Sequence, residues 1–75
     1  MQSKIKLYGT GFCHLCDEAE AILDKAGVAI VYIDIAEDDG LLEKYGAHIP
    51  VLQRVDNDAE LGWPFDAVAA LRFLI

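Results

Sequence analysis

Residues 5–35 read IKLYGTGFCHLCDEAEAILDKAGVAIVYIDI, and this stretch decides how the chain folds. Its first apolar residues, Ile5, Leu7 and Tyr8, predict a short strand, from which a loop leads to Cys13. From residue 13 to residue 26, apolar side chains recur at three- and four-residue spacing, which predicts a helix with one buried stripe. The predicted stripe consists of Leu15, Ala19, Ile22, Leu23 and Ala26.

Charged residues and a glycine mark the two ends of this helix. Acidic side chains lie in its first turns and Lys25 lies in its last turn, the distribution that the helix dipole favours. Gly27 is placed to adopt the left-handed conformation that ends many helices. Residues 28–35 are then apolar and mostly β-branched without alternation, which predicts a strand covered on both faces.

The second half of the chain contains a short helix, two strands and a final helix. Acidic residues at 37–39 cap a helix that Gly46 ends. Strands are predicted over residues 51–55 and 59–61, joined by an Asp-Asn-Asp turn. Pro64 and Asp66 mark the start of the last helix, whose inward face is predicted to include Val68, Leu71 and residues 73–75.

The resulting element order is βαβαββα. A βαβ crossover is right-handed in nearly all proteins, so the first two strands are parallel and the closing hairpin joins the same sheet. The sequence therefore predicts an α/β protein with a four-stranded mixed sheet flanked by three helices. At 75 residues, we expect one domain that spans positions 1–75.

Composition restricts the possible partners. Thirteen acidic and six basic residues give a formal charge of −7, which repels nucleic-acid backbones and anionic membranes. With 55% hydrophobic residues, the chain is expected to fold rather than stay disordered. No signal peptide or membrane span is recognisable, so we expect a cytoplasmic monomer. The acidic clusters at 17–20, 37–39 and 56–60 are interpreted as solvated faces, which would steer basic partners if they have a function.

The segment Cys13-His14-Leu15-Cys16 contains the candidate reactive residues. It follows a strand and opens a helix, the context in which a Cys-x-x-Cys spacing indicates a redox site. The helix N-terminus lowers the pKa of the Cys13 thiol below its usual value, and a protonated His14 would add to this effect. Asp17 and Glu18 act in the opposite direction because negative charges favour the neutral thiol. Cys16, one turn later, is placed to attack a mixed disulfide on Cys13.

Two other interpretations of the cysteines stay open. A structural disulfide that closes so short a loop would contribute only about 2 kcal/mol, and the cytoplasm would keep it reduced. A zinc site needs four ligands, and the available ones are Cys13, His14, Cys16 and His48, three of them crowded on one turn. An iron–sulfur cluster would need ligands from a second chain or from glutathione.

Three further features resemble the glutaredoxin family. These are Tyr8-x-x-x-x-Cys13-x-x-Cys16, the pair Ile49-Pro50 ahead of a strand, and a Gly-x-x-x-Asp segment that opens the last helix. The resemblance spans almost the whole chain and implies a thioredoxin/glutaredoxin-like fold. The segments Cys-His-Leu-Cys-Asp-Glu-Ala and Gly62-Trp63-Pro64-Phe65-Asp66 are similar to those of a small bacterial glutaredoxin-like subgroup.

The resemblance implies a role for each matching residue. Cys13 is the expected nucleophile, Cys16 the resolving thiol, and Pro50 a cis proline. The backbone of Ile49 would bind an extended substrate or glutathione, and Asp66 would meet the γ-glutamyl amine. Phe12, beside the nucleophile, and Trp63 are further candidate substrate contacts. For Trp63, packing at the entry of the last helix is the alternative.

The chain also departs from the glutaredoxin pattern. The basic residue that glutaredoxins carry three positions before the first cysteine is Thr10 here, and their Gly-Gly pair is Gly62-Trp63. Expected partners are a disulfide-containing protein or a small thiol, with glutathione or a thioredoxin-reductase-type enzyme as reductant, and no bound cofactor. The alternatives are a non-enzymatic metal or cluster carrier and an acidic adaptor with the same fold.

Overall fold

A computed structural model describes residues 5–11 and 13–74 of the chain. Seven helices and strands follow one another in the predicted βαβαββα order. They are β1 (Ile5–Gly9), α1 (His14–Lys25), β2 (Val31–Asp34), α2 (Asp39–Tyr45), β3 (Val51–Arg54), β4 (Glu60–Gly62) and α3 (Ala67–Leu74). A 3₁₀ turn, Ile35–Glu37, joins β2 to α2. No helix among the described residues is long and apolar enough to cross a membrane.

The four strands form one mixed sheet in the order β2-β1-β3-β4. β1 pairs with β2 in parallel and with β3 antiparallel, and β3 pairs with β4 antiparallel. The predicted sheet is confirmed, with β1 in an inner position. Because β1 leads directly into α1, the sheet fixes where that helix begins.

Two apolar clusters lie on opposite faces of the sheet, as the alternation of side chains along a strand requires. On one face, Leu7 and Leu52 are paired across β1 and β3 and pack against α1 and α3. On the other face, the neighbouring pair Tyr8 and Val51 packs against Tyr45 of α2. The sheet is therefore covered by α1 and α3 on one side and by α2 on the other.

The end of α1 has the form that the sequence predicts. Gly27 has a φ of +76°, and its N–H donates to the Asp24 carbonyl at 3.1 Å. The N–H of Val28 donates to the Leu23 carbonyl at 2.9 Å, which completes a Schellman motif. This cap turns the chain back toward the sheet.

The prediction of a long second strand covered on both faces was wrong. β2 comprises only Val31–Asp34, at an edge of the sheet, and Val31 is 43% exposed. Residues 28–30 belong to the approach from α1, where Val28 and Ile30 are half-buried against the core without forming strand pairs. The apolar residues in this segment pack the connection between α1 and β2 against the core, and they do not belong to a central strand. The ends of β3 and β4 differ from prediction by only one residue.

Two predictions about helix faces were wrong in part. In α1, Ala19 and Leu23 are fully buried as predicted, but Leu15 is 43% exposed and the buried stripe includes Cys16 instead. In α3, residues 73 and 74 are half-buried against the core as predicted, but Val68 is 59% and Leu71 43% exposed, and Ala70 is the buried residue. Almost every residue of α3 is apolar, so its sequence does not distinguish the inward face. The predicted burial of Ile75 lies outside the described residues.

A polar network fastens α2 to the sheet. The Tyr45 hydroxyl donates to the Glu60 carboxylate, and Lys44 Nζ lies 3.8 Å from the same oxygen. The Tyr45 ring stacks on Tyr8 with centroids 4.5 Å apart, and the Tyr8 hydroxyl donates to Gln53 Oε1 at 2.7 Å. Burial raises the pKa of Tyr45, and the hydrogen bond to Glu60 and its negative charge raise it further.

We predict that the Tyr45→Phe variant loses less stability at alkaline pH than the wild-type protein does. Because the pKa of Tyr45 is higher in the folded than in the unfolded protein, Tyr45 contributes stability that is complete below about pH 10, the usual pKa of tyrosine. This contribution disappears as the pH rises toward the folded pKa. Tyr45→Phe removes the titrating hydroxyl group, and with it the part of the stability loss that is due to Tyr45. Urea unfolding between about pH 8 and pH 12 measures the slope, with Glu60→Gln as a second variant that keeps the ring. Equal slopes for wild type and Tyr45→Phe would contradict the prediction.

Candidate functional site

The sulfur of Cys13 caps the N-terminus of α1. Cys13 has extended backbone angles, with φ −102° and ψ 107°, and the N–H of Cys16 donates to its Sγ at 3.1 Å. The N–H of Asp17 donates to the Cys13 carbonyl at 3.1 Å and starts the helical ladder. Side-chain oxygens of serine or aspartate usually occupy this position, and here a sulfur accepts the hydrogen bond. A negative charge on this sulfur would lie at the positive end of the helix.

The two sulfurs are bonded to each other and differ in exposure. Cys13 and Cys16 form a disulfide with Cα atoms 5.1 Å apart, within the usual range for such bridges. Cys13 is half-buried, whereas Cys16 is 0% exposed. Only the first of the two sulfurs is therefore reachable from solvent.

The strand register brings the segments that carry Ile49-Pro50 and Trp63 to the same end of the sheet as the end of β1. Tyr8, near the end of β1, pairs with Val51 at the start of β3, and Val51 pairs with Gly62 at the end of β4. The loop that leads to Cys13, the segment before β3 and the segment after β4 therefore lie at the same end of the sheet. The N–H of Trp63 donates to the Pro50 carbonyl at 3.1 Å, which joins two of these segments directly.

The peptide bond between Ile49 and Pro50 is cis, as the resemblance implied, and the Pro50 side chain is fully buried. Ile49 is half-buried and packs against the cluster on the α2 face.

The aromatic residues after β4 pack against the body of the protein. Phe65 is buried, and half-buried Trp63 meets its ring edge to face, with centroids 5.1 Å apart. Both rings contact the cluster under α1 and α3, so packing accounts for much of their surface. Asp66 Oδ1 accepts a hydrogen bond from the Ala69 N–H at 2.8 Å and thereby caps α3, which leaves its second oxygen uncommitted to that cap.

The structure places the other predicted residues as follows. The His14 side chain is 87% exposed, and its Nε2 lies 4.0 Å from Glu18 Oε1, one helical turn away. Its predicted effect on Cys13 stays a prediction. Phe12 lies outside the described residues. In residues 5–11 and 13–74, no three His, Cys, Asp or Glu side chains are grouped to hold a metal ion.

Sequence reasoning missed Gly9 and Tyr32. A Cβ built on Gly9 would lie 2.5 Å from the Tyr32 hydroxyl oxygen and 2.8 Å from Cys16 Sγ. The Tyr32 hydroxyl donates to the Thr10 carbonyl at 2.9 Å, which ties β2 to the loop before the cysteines. Burial raises the pKa of Tyr32, with smaller effects in the same direction from Glu20, Asp34 and Asp17. In the sequence, Tyr32 looks like an ordinary aromatic residue of a strand.

An open cleft of about 600 Å³ runs along α1 beside the approach to β2. Acidic side chains at 17, 20 and 24 line its helical side, and apolar residues of the approach and Tyr32 line the other. The cleft begins next to the cysteine turn, because Asp17 directly follows Cys16. Three carboxylate side chains therefore give the helical side of this cleft a negative charge.

Comparison with known proteins identifies the family. The profile of the Glutaredoxin-like domain (DUF836) matches residues 4–73, nearly the whole chain. The chain belongs to this glutaredoxin-like family. Among curated proteins, no match to the sequence was found.

Solved structures of two proteins support the same assignment. The X-ray structure of Northeast Structural Genomics target protein XcR50 from X. campestris is 38% identical, covers 93% of each chain and has a TM-score of 0.86. Its solution structure gives a TM-score of 0.84. The solution NMR structure of protein Ne2328 from Nitrosomonas europaea is 28% identical, covers 97% of this chain and 92% of its own, and has a TM-score of 0.74. The fold is thus a thioredoxin-like α/β fold, as predicted.

We predict that Gly9→Ala destabilises this glutaredoxin-like protein by about 1–3 kcal/mol, the usual cost of overpacking. The new methyl group would meet the Tyr32 hydroxyl and Cys16, both of which are held by other bonds. Urea unfolding measures the change. Gly62→Ala is the matched control, because it is also a strand glycine and nothing lies within 4 Å of the point that its Cβ would occupy. Equal stability of the two variants would contradict the prediction.

Proposed function

We propose that this glutaredoxin-like protein is a thiol–disulfide oxidoreductase, in which Cys13 is the nucleophile and Cys16 the resolving thiol. The observation that carries the proposal is the contrast between the two sulfurs. Cys13 caps a helix and is partly exposed, whereas Cys16 is enclosed one turn later and within bonding distance. A structural disulfide would not require its first sulfur to be accessible at a helix N-terminus.

The hydrogen bond at the cap favours the nucleophilic form of Cys13. In the reduced protein, we expect the Cys16 N–H and the helix dipole to stabilise a thiolate on Cys13 more than a thiol. Asp17 and Glu18 are close in sequence and reduce this effect. The thiolate is the form that attacks disulfides.

The proposed reaction has two exchanges. The Cys13 thiolate attacks one sulfur of a substrate disulfide, forms a mixed disulfide, and releases the other substrate sulfur as a thiolate that takes up a proton. Cys16 then gives up its proton and attacks the Cys13 sulfur, which releases the second substrate thiol. The substrate disulfide is reduced by two electrons, and the protein dithiol becomes the Cys13–Cys16 disulfide.

A separate reductant must then restore the dithiol, and glutathione and a thioredoxin-reductase-type enzyme are the two candidates. Asp66 and the Ile49-Pro50 backbone are the family-type glutathione contacts that the chain retains. Thr10 and Trp63 occupy positions where two other contacts would be expected. The charge of −7 favours basic protein substrates by long-range attraction. A reducing cytoplasm is the compartment that fits this cycle.

We predict that Cys13→Ser abolishes reduction of a protein disulfide such as that of insulin, because the attacking sulfur is lost. Cys16→Ser, with the nucleophile intact, should instead accumulate a mixed disulfide that mass spectrometry detects. Dithiothreitol serves as the reductant in the turnover assay, so that assay does not depend on the physiological one. It is removed before the trapping experiment, because a free dithiol would cleave the mixed disulfide. Turnover by Cys13→Ser at the wild-type rate would refute the assignment, and failure to trap a mixed disulfide would remove Cys16 from its role.

We further predict that Asp66 has a separable effect on glutathione use. Asp66→Ser retains a helix cap but removes the carboxylate, whereas Asp66→Ala removes both and loses about 1 kcal/mol of stability. If Asp66 meets the γ-glutamyl amine, both variants raise the KM for a glutathionylated peptide about ten-fold, the loss expected for one charge-assisted hydrogen bond. An unchanged KM in Asp66→Ser would exclude this contact.

A further inference from the structure

The hydroxyl group of Tyr32 and the sulfur of Cys16 occupy neighbouring space beside Gly9. Both atoms lie within 2.8 Å of the point where a Cβ of residue 9 would stand. Glycine at this position therefore leaves the space that both the hydroxyl and the enclosed sulfur border. The two residues come from different elements, β2 and α1, that only the folded chain brings together.

Cys16 is fully enclosed by the protein, since its exposed fraction is 0%. A thiolate that forms in such surroundings is disfavoured unless a hydrogen-bond donor accompanies it. The resolving step nevertheless requires Cys16 to lose its proton.

We propose that Tyr32 is a positioning residue for the resolving step, and that its hydroxyl donates a hydrogen bond to the Cys16 sulfur when that sulfur becomes a thiolate. This inference rests on the proposed function. In the disulfide form the hydroxyl donates to the Thr10 carbonyl at 2.9 Å, so it is held at the site and ready to change acceptor. The same bond keeps the loop before Cys13 in place.

Tyr32 keeps its own proton throughout the step. It is surrounded by negative charge from Glu20 and Asp17 on α1 and from Asp34 at the end of β2, and burial also opposes its ionisation. It therefore acts as a donor and not as a base. The Cys16 proton leaves to water or to the departing substrate thiolate, the bond between the Cys16 and Cys13 sulfurs forms, and the bond from Cys13 to the substrate breaks.

The test is stopped-flow reaction of the reduced protein with 5,5′-dithiobis(2-nitrobenzoate), which releases coloured thionitrobenzoate twice. The first release reports attack by Cys13, and the second reports attack by Cys16 on the mixed disulfide. Tyr32→Phe should slow the second release about ten-fold relative to the first, as expected for a lost hydrogen bond to a charged group, because loss of the bond to Thr10 affects the loop before Cys13 in both steps. The pH profile of the second release should move to higher pH.

Tyr8→Phe is the matched control. Tyr8 also has a partly buried hydroxyl with a hydrogen bond, to Gln53, but it lies on the opposite face of the sheet. It should leave both releases at wild-type rates. Equal slowing by the two variants, or no slowing in Tyr32→Phe, would overturn the role of Tyr32.

A measurement on the wild-type protein covers the case in which Tyr32→Phe does not fold. The ¹³Cζ resonance of Tyr32 should shift between the disulfide and dithiol forms at a pH where Cys16 is ionised, while that of Tyr8 stays in place. An unmoved Tyr32 resonance would overturn the inference. If the wild-type protein shows no second release at all, the proposed function itself fails. This outcome differs from those that overturn only the role of Tyr32.

Discussion

The hydrogen bond from the Cys16 N–H to the Cys13 sulfur connects the fold of this protein to its chemistry. It exists because β1 ends next to the point where α1 begins, so the first free N–H groups of the helix face the loop that carries Cys13. The same turn of helix turns Cys16 inward, where Ala19 and Leu23 continue the buried stripe. One structural element therefore supplies an accessible sulfur, its stabilising donor and an enclosed partner sulfur.

The small size of the chain determines how this turn is supported. Two apolar clusters, one on each face of the sheet, contain most of the buried side chains among the described residues. Each cluster includes one cross-strand pair of β1 and β3, Leu7–Leu52 on one face and Tyr8–Val51 on the other. The pairing of β1 with β3 also places the cysteine turn and the cis Ile49-Pro50 segment at the same end of the sheet. A shift of register by one residue would exchange the two faces and separate the site from its supports.

Membership in the glutaredoxin-like family gives the fold and the position of the thiol pair, and the remaining surface distinguishes this chain. Asp66 caps α3, so its presence has a structural reason that is independent of any glutathione contact. Trp63 donates its backbone N–H to Pro50 and packs against the core, so its presence also has a structural reason. Acidic residues line the cleft along α1.

The element order, the mixed sheet, the cap at Gly27 and the cysteine pair followed from the sequence, because spacing, glycine and helix-end residues act locally. The sequence did not reveal that β2 is a short edge strand, or that Leu15, Val68 and Leu71 are exposed, because apolar residues on several sides of an element are compatible with more than one packing. Only the tertiary structure shows that Gly9 leaves space bordered by Tyr32 and Cys16, because these residues come from three separate elements. The sequence by itself thus determined where the two cysteines stand relative to a strand and a helix, because their spacing is local. Packing decided which of the two sulfurs is reachable and what lies near the other, because burial depends on elements that are distant in sequence.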